Sequence, residues 1–345
     1  MRSLTIWRRL SSMASPREHF RNLCDGPALE IAPGLYQLTI PMPFRLNHVH
    51  LYLVEADDGF ILIDTGVNTS EAFAALKRKL DDLGLDFSAI RQVVITHFHS
   101  DHCGQAARIR ELAGAQIAMG ATERTTFERV QLHPSDEREE QFLRHGLPPT
   151  QASRYAEVLP YLKSLTLPFD VDVRVGHGQT FLAKRRRLEA FVTPGHTPGH
   201  VCLFMPDERL MFSGDHILQK ITPNIGFHSY SGPDPLGDYL QSLRATLTLG
   251  ATLLLPSHGP LVEDPAARVH ELLVHHERRL QACLEALGPA PATAYEVSLQ
   301  VFGGDLDHFG RWMALGETLS HLEHLVQQGL ASKLDEDGRI GYQRV

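Results

Sequence analysis

The chain has 345 residues, of which 43% are hydrophobic and 21% charged, and its formal net charge is −8. This composition is that of a soluble globular protein, and no segment approaches the roughly 18 apolar residues of a membrane-spanning helix. The acidic balance also argues against a protein whose main task is to bind nucleic acid.

The first fifteen residues contain Arg2, Arg8 and Arg9 and no acidic residue, a composition that organelle-targeting segments share. A disordered tail, or translation that starts at Met13, would explain the same residues. We therefore assign residues 1–30 to an N-terminal tail and leave these alternatives open.

Strands and helices alternate along residues 31–120. The segments GLYQLTI, HVHLYLVEA, GFILIDTG and QVVIT have the apolar patterns of strands, whereas TSEAFAALKRKLDDLG and CGQAARIRELAGA have the apolar period of helices. This repeated order of strand, loop and helix predicts an α/β layer architecture.

Residues 121–168 are polar, helical in pattern and interrupted by five prolines, so we predict a helical, lid-like insertion. Strand patterns then return, followed by a helix over about 235–249, the strand segment ATLLLPSHG and a long helix over about 265–287. The segment GPAPAT has the composition of a linker. We place the main domain at residues 31–264 and a small C-terminal domain at residues 265–345.

The four cysteines are far apart and form no CxxC pair, which predicts no disulfide framework. We expect each to be a small buried side chain in a reducing compartment, and hence a cytoplasmic protein. The cysteines are Cys24, Cys103, Cys202 and Cys283.

The segment ITHFHSDHCG follows the apolar strand VVI and contains three histidines and an aspartate within six positions. His97 and His99 share one face because alternate strand residues point the same way. Asp101 and His102 follow in the turn before the next helix, where the chain reverses toward the same rim. Imidazole and carboxylate at this spacing predict a metal site.

Three further segments place histidine or aspartate at strand-to-loop transitions. TPGHTPGH offers His196 and His200, FSGDH offers Asp215 and His216, and PSHGP offers His258. Such strand ends line one edge of an α/β sandwich, where functional sites usually form.

Together with LIDTG, the motifs THFHSDH, PGHTPGH, SGD and SHG resemble those of metallo-β-lactamase-fold hydrolases over residues 31–260. The resemblance implies an αββα sandwich with two metal ions. By this resemblance, His97, His99 and His196 would bind the first metal. Asp101, His102 and His258 would bind the second metal. The carboxylate of Asp215 would bridge the two metals. Asp64 would then hold a ligand histidine or, alternatively, cap its turn.

Two divalent ions that share a water lower its pKa and provide a bridging hydroxide as nucleophile. Asp101 and Asp215 would orient that water, and His228 is our hypothesis for the proton donor to the leaving group. Zinc is the expected metal, with iron or manganese as alternatives. No other cofactor is expected.

The remaining histidines receive different interpretations. His200 is expected to support its loop, and His216 and Cys103 to point away from the metals. His228 and Tyr230 lie in NIGFHSYSG, which could contact substrate or be an ordinary polar surface loop. Four more are expected to be solvated: His133, His145, His275 and His276.

Residues 232–260 resemble the group that includes glyoxalase II and lactonases, which implies a small-molecule acyl substrate: a thioester, ester or lactone. The C-terminal segments resemble the winged-helix tail of lactamase-B-like proteins, some of which cut RNA. A phosphodiesterase or endoribonuclease, and a non-enzymatic regulator that binds DNA through the winged helix, are therefore the alternatives.

Charge argues against a nucleic-acid partner. Residues 289–345 contain four basic and eight acidic side chains, and the wing turns at Asp337 and Gly338 within the acidic DEDG. The one basic run, Lys184 to Arg187, is expected to be a solvated hairpin turn. Core spacing in the last helix predicts packing against the sandwich or a second subunit of a homodimer, through Leu319, Leu322, Leu325 and Val326.

Overall fold

Two β-sheets form the centre of the protein, which the computed structural model describes over residues 24–132, 136–184 and 186–345. Within these residues the first sheet has seven strands in chain order, β1 to β7, at Leu29–Ala32, Leu35–Pro41, His48–Ala56, Gly59–Ile63, Ile90–Ile95, Gln116–Gly120 and Val173–Val175. The second sheet, in the same described part, has the order β12, β11, β10, β9, β8, at Leu253–Pro256, Leu210–Gly214, Val201–Met205, Arg186–Val192 and Thr180–Ala183.

Strand directions bring several carboxyl ends to one edge of the sandwich. In the first sheet β4 and β5 run parallel. In the second sheet β11 and β12 are parallel, and β9 has the same direction because both β9 and β11 pair antiparallel with β10. The loops after β4, β5, β9, β11 and β12 therefore meet, and these loops carry the predicted motifs.

The two sheets pack face to face through alternating apolar side chains. Val54 and Ile63 of the first sheet share one buried cluster with Leu203 and Phe212 of the second. The hydroxyl of Tyr52 crosses this interface and donates to the carbonyl of Pro256 at 2.7 Å. A hydrogen-bonded phenol therefore lies in an otherwise apolar layer.

Three helices follow strands of the first sheet: α1 at Ser70–Asp82, the short α2 at Ser100–Cys103 and α3 at Ala106–Ala113. Thr69 caps α1 by accepting from the amide of Ala72. Leu76 of α1 and Ile109 of α3 join the buried cluster on the outer face of this sheet. One side of the sandwich is thereby covered.

The predicted insertion contains three helices, α4 at Ala121–Leu132, α5 at Asp136–Arg144 and α6 at Pro149–Ser164. Phe127 of α4 packs on the first sheet's outer cluster. Phe142, Leu147 and Ala152 instead belong to a core that they share with the C-terminal helices. The insertion thus bridges the sandwich and the C-terminal region.

Helices α7 at Pro235–Thr248 and α8 at Pro265–Ala286 cover the outer face of the second sheet. Tyr239 and Leu243 of α7 and Leu272 of α8 share a cluster with Phe204 and Met211. Helices therefore lie outside both sheets, which confirms the predicted αββα arrangement.

The C-terminal region continues with α9 at Ala294–Phe302, α10 at His308–Gln327 and a hairpin of β13 at Ala331–Glu336 and β14 at Arg339–Arg344. The hairpin turns at Asp337 and Gly338, both with positive φ, as predicted. Leu319, Leu322 and Leu325 are buried and Val326 is partly buried, in a cluster with the insertion and the other C-terminal helices. Packing of α10 against a second subunit stays a prediction. The winged-helix assignment stays a prediction.

Two expectations about exposure are wrong. His145 and His276, expected to be solvated, are 2% and 1% exposed. The ring of His145 stacks on Tyr342 of β14, and the ring of His276 packs between Tyr239 of α7 and His321 of α10. His275 is partly buried, and His133 lies outside the described residues.

Residues 24–30, assigned to the tail by sequence, contact the body of the protein. Cys24 is buried, and the carbonyl of Gly26 accepts a hydrogen bond from Lys79. Residues 1–23 lie outside the described part. Across the residues that the structure describes, no helix is long and apolar enough to span a membrane.

Candidate metal centre

Three histidine nitrogens converge where β5 and β9 end. Nε2 of His97 lies 3.0 Å from Nδ1 of His99, and Nε2 of His196 lies 3.1 Å from the same atom. Atoms at these separations fit around a single cation, because zinc binds imidazole nitrogen at about 2.0–2.1 Å. The three histidines form the first cluster.

A second cluster adjoins the first. Oδ2 of Asp101 lies 3.5 Å from Nε2 of His102 and 3.3 Å from Nε2 of His258. One carboxylate and two imidazoles are ligands that zinc, iron and manganese accept.

The carboxylate of Asp215 lies between the two clusters. Its Oδ2 is 3.7 Å from Nε2 of His196 and 3.7 Å from Nε2 of His102, and its Oδ1 is 3.4 Å from Nε2 of His258. Asp215 therefore faces members of both clusters, in the position of a bridging group.

Three of the ligand rings, His196, His258 and His102, are oriented by a partner on the far side of the ring. Nδ1 of His196 donates to the carbonyl of Asn224 at 2.8 Å, and Nδ1 of His258 donates to that of His48 at 2.9 Å. Nδ1 of His102 lies 2.9 Å from Oδ2 of Asp64. With the proton held at Nδ1, each Nε2 presents a lone pair to the site.

The arrangement leaves polar atoms that a cation would satisfy. Within the described residues, Nε2 of His102, Nε2 of His258 and Oδ1 of Asp215 are buried without a hydrogen-bond partner. Such atoms cost free energy when buried unpaired. Their convergence fits metal ions, and three overlapping sets of ligand atoms within 4.8 Å include all seven predicted ligands.

Electrostatics in the site follow from burial and mutual contact. Burial, together with the neighbouring His102 and His99 rings, holds the pKa of His97 well below its usual range. Burial also opposes a charged His102, yet the carboxylates of Asp101, Asp215 and Asp64 hold its pKa well above its usual range. The carboxylates therefore favour positive charge at this position, as they would favour a cation.

Asp64 connects the two clusters from beneath. It is 1% exposed, and besides His102 it accepts from the amide and hydroxyl of Thr96 at 2.8 and 2.9 Å. The hydroxyl donates to Asp64, so its oxygen accepts from Nδ1 of His97 at 3.0 Å. Of the two predicted roles, the contacts favour orientation of ligand histidines.

Glu123, in the first turn of α4, is a functional residue that sequence analysis missed. It is fully buried, and its carboxylate accepts from the amides of Phe98 at 2.9 Å and Gly199 at 2.8 Å. These amides belong to the HFHSDH and PGHTPGH loops. Glu123 therefore ties together the two loops of the first cluster, and burial raises its pKa to about 7.

The neighbouring histidines have the predicted supporting positions. His200 hydrogen-bonds to Thr193 through Nδ1 and accepts from the amide of Asp215 through Nε2. His216 lies against the hydroxyl of Thr246 of α7, away from the clusters. Cys103 donates to the carbonyl of Phe98. His200 thus supports the backbone that presents Asp215.

A cleft of about 510 Å³ opens over the clusters, and His228 and Tyr230 line it beside His99. The loop of residues 221–231 is tied to α10 by the hydrogen bond from the amide of Phe227 to the carbonyl of Gly316. Of the two predicted alternatives for this loop, its position in the cleft wall favours contact with substrate.

The fold and these two clusters define a metallo-hydrolase. The family model of the metallo-beta-lactamase superfamily matches residues 45–258, and that of the metallo-beta-lactamase-like C-terminal domain matches residues 280–345. The chain belongs to the metallo-β-lactamase superfamily.

Relatives match along most of the chain. The probable metallo-hydrolase YqjP of Bacillus subtilis is 28% identical over 301 residues, which are 84% of this chain and 91% of that protein. A metallo-beta-lactamase family protein from Thermus thermophilus superposes with a TM-score of 0.82 at 31% identity, covering 91% of this chain and all of the other. A beta-lactamase domain protein from Burkholderia ambifaria superposes with a TM-score of 0.81 at 27% sequence identity, covering 92% of this chain and 94% of the other.

Proposed function

We propose that the protein is a dinuclear metal-dependent hydrolase of small acyl substrates, namely thioesters, esters or lactones. The observation that carries this proposal is the position of Asp215, whose carboxylate faces His196 of the first cluster and His102 and His258 of the second. A buried carboxylate between two sets of ligand atoms suits a pair of cations better than one.

The proposed ligands follow the two clusters. His97, His99 and His196 would hold the first metal, and Asp101, His102 and His258 the second, with Asp215 between them. Zinc suits the histidine-rich donor set, and iron or manganese would also be accepted.

Two bound cations would activate a water molecule as the nucleophile and polarise the carbonyl oxygen under attack. Asp101 and Asp215 are 16% and 12% exposed in their side chains, so each can accept a hydrogen bond from that water. His228 lines the same cleft and is the proposed donor of a proton to the leaving group.

The surroundings support an acyl substrate over nucleic acid. Lys184, Arg186 and Arg187 each pair with a carboxylate, at 2.6, 2.8 and 3.0 Å, so this basic run is largely neutralised. Most residues of α10, the helix in the position of a recognition helix, are buried. A buried helix cannot enter a DNA groove, which argues against the DNA-binding regulator.

The test is a panel of hydrolysis assays on zinc-loaded protein with a thioester, an ester, a lactone, a phosphodiester and a short single-stranded RNA. The matched control is His99→Ala, which removes the nitrogen shared by both short contacts of the first cluster. We expect metal-dependent turnover of a thioester, ester or lactone that the control lacks. Cleavage of only the phosphodiester or RNA would overturn the acyl proposal.

A further inference from the structure

The cleft above the metal centre has a polar floor and largely apolar walls. Polar side chains of the two clusters line it together with a larger set of aromatic and aliphatic side chains. Its volume of about 510 Å³ lies within the range of small-molecule sites. A ligand that fills it must therefore be mostly apolar, with its reactive group at the floor.

The walls come from parts of the chain outside the sandwich. Phe127 and Val130 of α4 and Leu162 of α6 line the cleft, and so do Trp312 and Met313 of α10. These helices belong to the insertion and to the C-terminal region.

The rim of the cleft exposes large apolar side chains. Leu46, Ile221 and Phe309 are 37%, 40% and 51% exposed, and they come from three separate segments that meet at this opening. Exposed apolar area costs about 25 cal/mol per Å², and concentrated patches of it mark binding sites.

We infer that this cleft binds an apolar acyl group of medium chain length, held between the insertion and α10 with its carbonyl carbon at the metal centre. The inference rests on the proposed hydrolase function, whose substrate class it narrows. An acetyl group would leave the walls and the rim uncovered, whereas a chain of about eight to ten carbons would cover them. Each buried methylene stabilises the bound acyl chain enough to raise kcat/KM roughly fourfold.

The experiment compares N-acetylcysteamine thioesters from acetyl to decanoyl on zinc-loaded protein. We expect kcat/KM to rise with chain length, and Phe309→Ala and Ile221→Ala to lower it about tenfold for decanoyl and less than twofold for acetyl. Leu247→Ala is the matched control, because Leu247 is 41% exposed on α7 and lies away from the cleft. A kcat/KM that does not change with chain length would overturn the inference.

A binding measurement separates this inference from the proposed function. Titration calorimetry with decanoate and with acetate compares two carboxylates that differ only in the apolar chain. We expect decanoate to bind at least 30-fold more tightly, and Phe309→Ala to reduce that ratio. If no thioester, ester or lactone is hydrolysed, the proposed function fails while the decanoate result still decides the inference. Equal affinities for decanoate and acetate would overturn the inference.

Discussion

Asp64 and His102 form a buried pair in which Oδ2 of the carboxylate lies 2.9 Å from Nδ1 of the imidazole. The side chains are 1% and 0% exposed. Asp64 has φ of 60°, a left-handed conformation that Asp and Asn adopt more readily than other residues with a side chain. The substitution Asp64→Asn therefore removes the charge while it keeps the backbone preference.

We expect Asp64→Asn to lower zinc affinity about 10-fold to 100-fold, the usual effect of losing a carboxylate that orients a ligand histidine. The side-chain NH2 of the introduced asparagine would also face the backbone N–H or the hydroxyl of Thr96, each of which donates to the carboxylate of Asp64. Competition with a chromophoric chelator measures the affinity, and Asp81→Asn, which alters an exposed pair with Lys77, is the control. Unchanged affinity in Asp64→Asn would refute the orienting role.

Asp215→Ala is expected to lower turnover about 100-fold or more, because the group that faces both clusters is lost. The fold should persist, since Oδ1 of Asp215 has no hydrogen-bond partner among the described residues. Steady-state kinetics and thermal unfolding of the metal-free protein test both parts, with the exposed Asp207→Ala as control. Retention of most turnover would contradict the bridging assignment.

Glu123→Gln should destabilise the protein by about 1–3 kcal/mol. The glutamine side chain has one acceptor oxygen, so it can accept from the backbone N–H of Phe98 or of Gly199 but leaves the other N–H unpaired. Chemical denaturation measures the free energy of unfolding. Glu128→Gln, on the same helix and exposed, is the matched control. Equal stability of the two variants would show that Glu123 does not hold the loops.

A buried histidine pair predicts loss of stability in acid. Nδ1 of His276 donates to Nε2 of His321 at 3.2 Å, since Nδ1 of His321 donates to the carbonyl of Glu317. Burial lowers the pKa of His276 to about 2 and that of His321 to about 3. Below pH 6.5 the unfolded chain binds protons that the folded protein does not, so stability falls as pH falls.

At pH 5 the expected loss is about 2 kcal/mol for each of these histidines. His276→Gln keeps a donor for His321 and does not titrate, so the stability difference between the wild type and this variant should shift by about 2 kcal/mol between pH 7.5 and pH 5. Urea unfolding in a chelator measures it, with the exposed His270→Gln as control. A difference that is independent of pH would refute the neutral buried pair.

The position of each motif just after a strand predicted that the motifs meet at one edge of the sandwich, and the resemblance to metallo-β-lactamase-fold hydrolases singled out seven ligands among their residues. The seven predicted ligands follow these strands, with Asp101 and His102 in the short helix α2, and they meet in the structure. Sequence could not show Glu123, since its two partners are backbone amides 25 and 76 positions away. In sequence it resembles the exposed Glu128 of the same helix.

The C-terminal region shows the same limit. The sequence predicted the order of two helices and a hairpin, and it predicted from the spacing of its leucines that one face of α10 is buried. The burial of His145 and His276 was not predicted, because the side chains that cover them are distant in sequence: Tyr342 covers His145, and Tyr239 and His321 cover His276. Local pattern identifies an apolar face but not the partner that covers it.

The central claim is that this site holds two metal ions. Elemental analysis of protein reconstituted with zinc and freed of excess metal measures the ratio directly, with His258→Ala as the matched variant that loses one ligand of the second cluster. The account predicts two zinc ions per chain in the wild type and about one in the variant. One zinc per chain in both proteins would contradict the dinuclear centre.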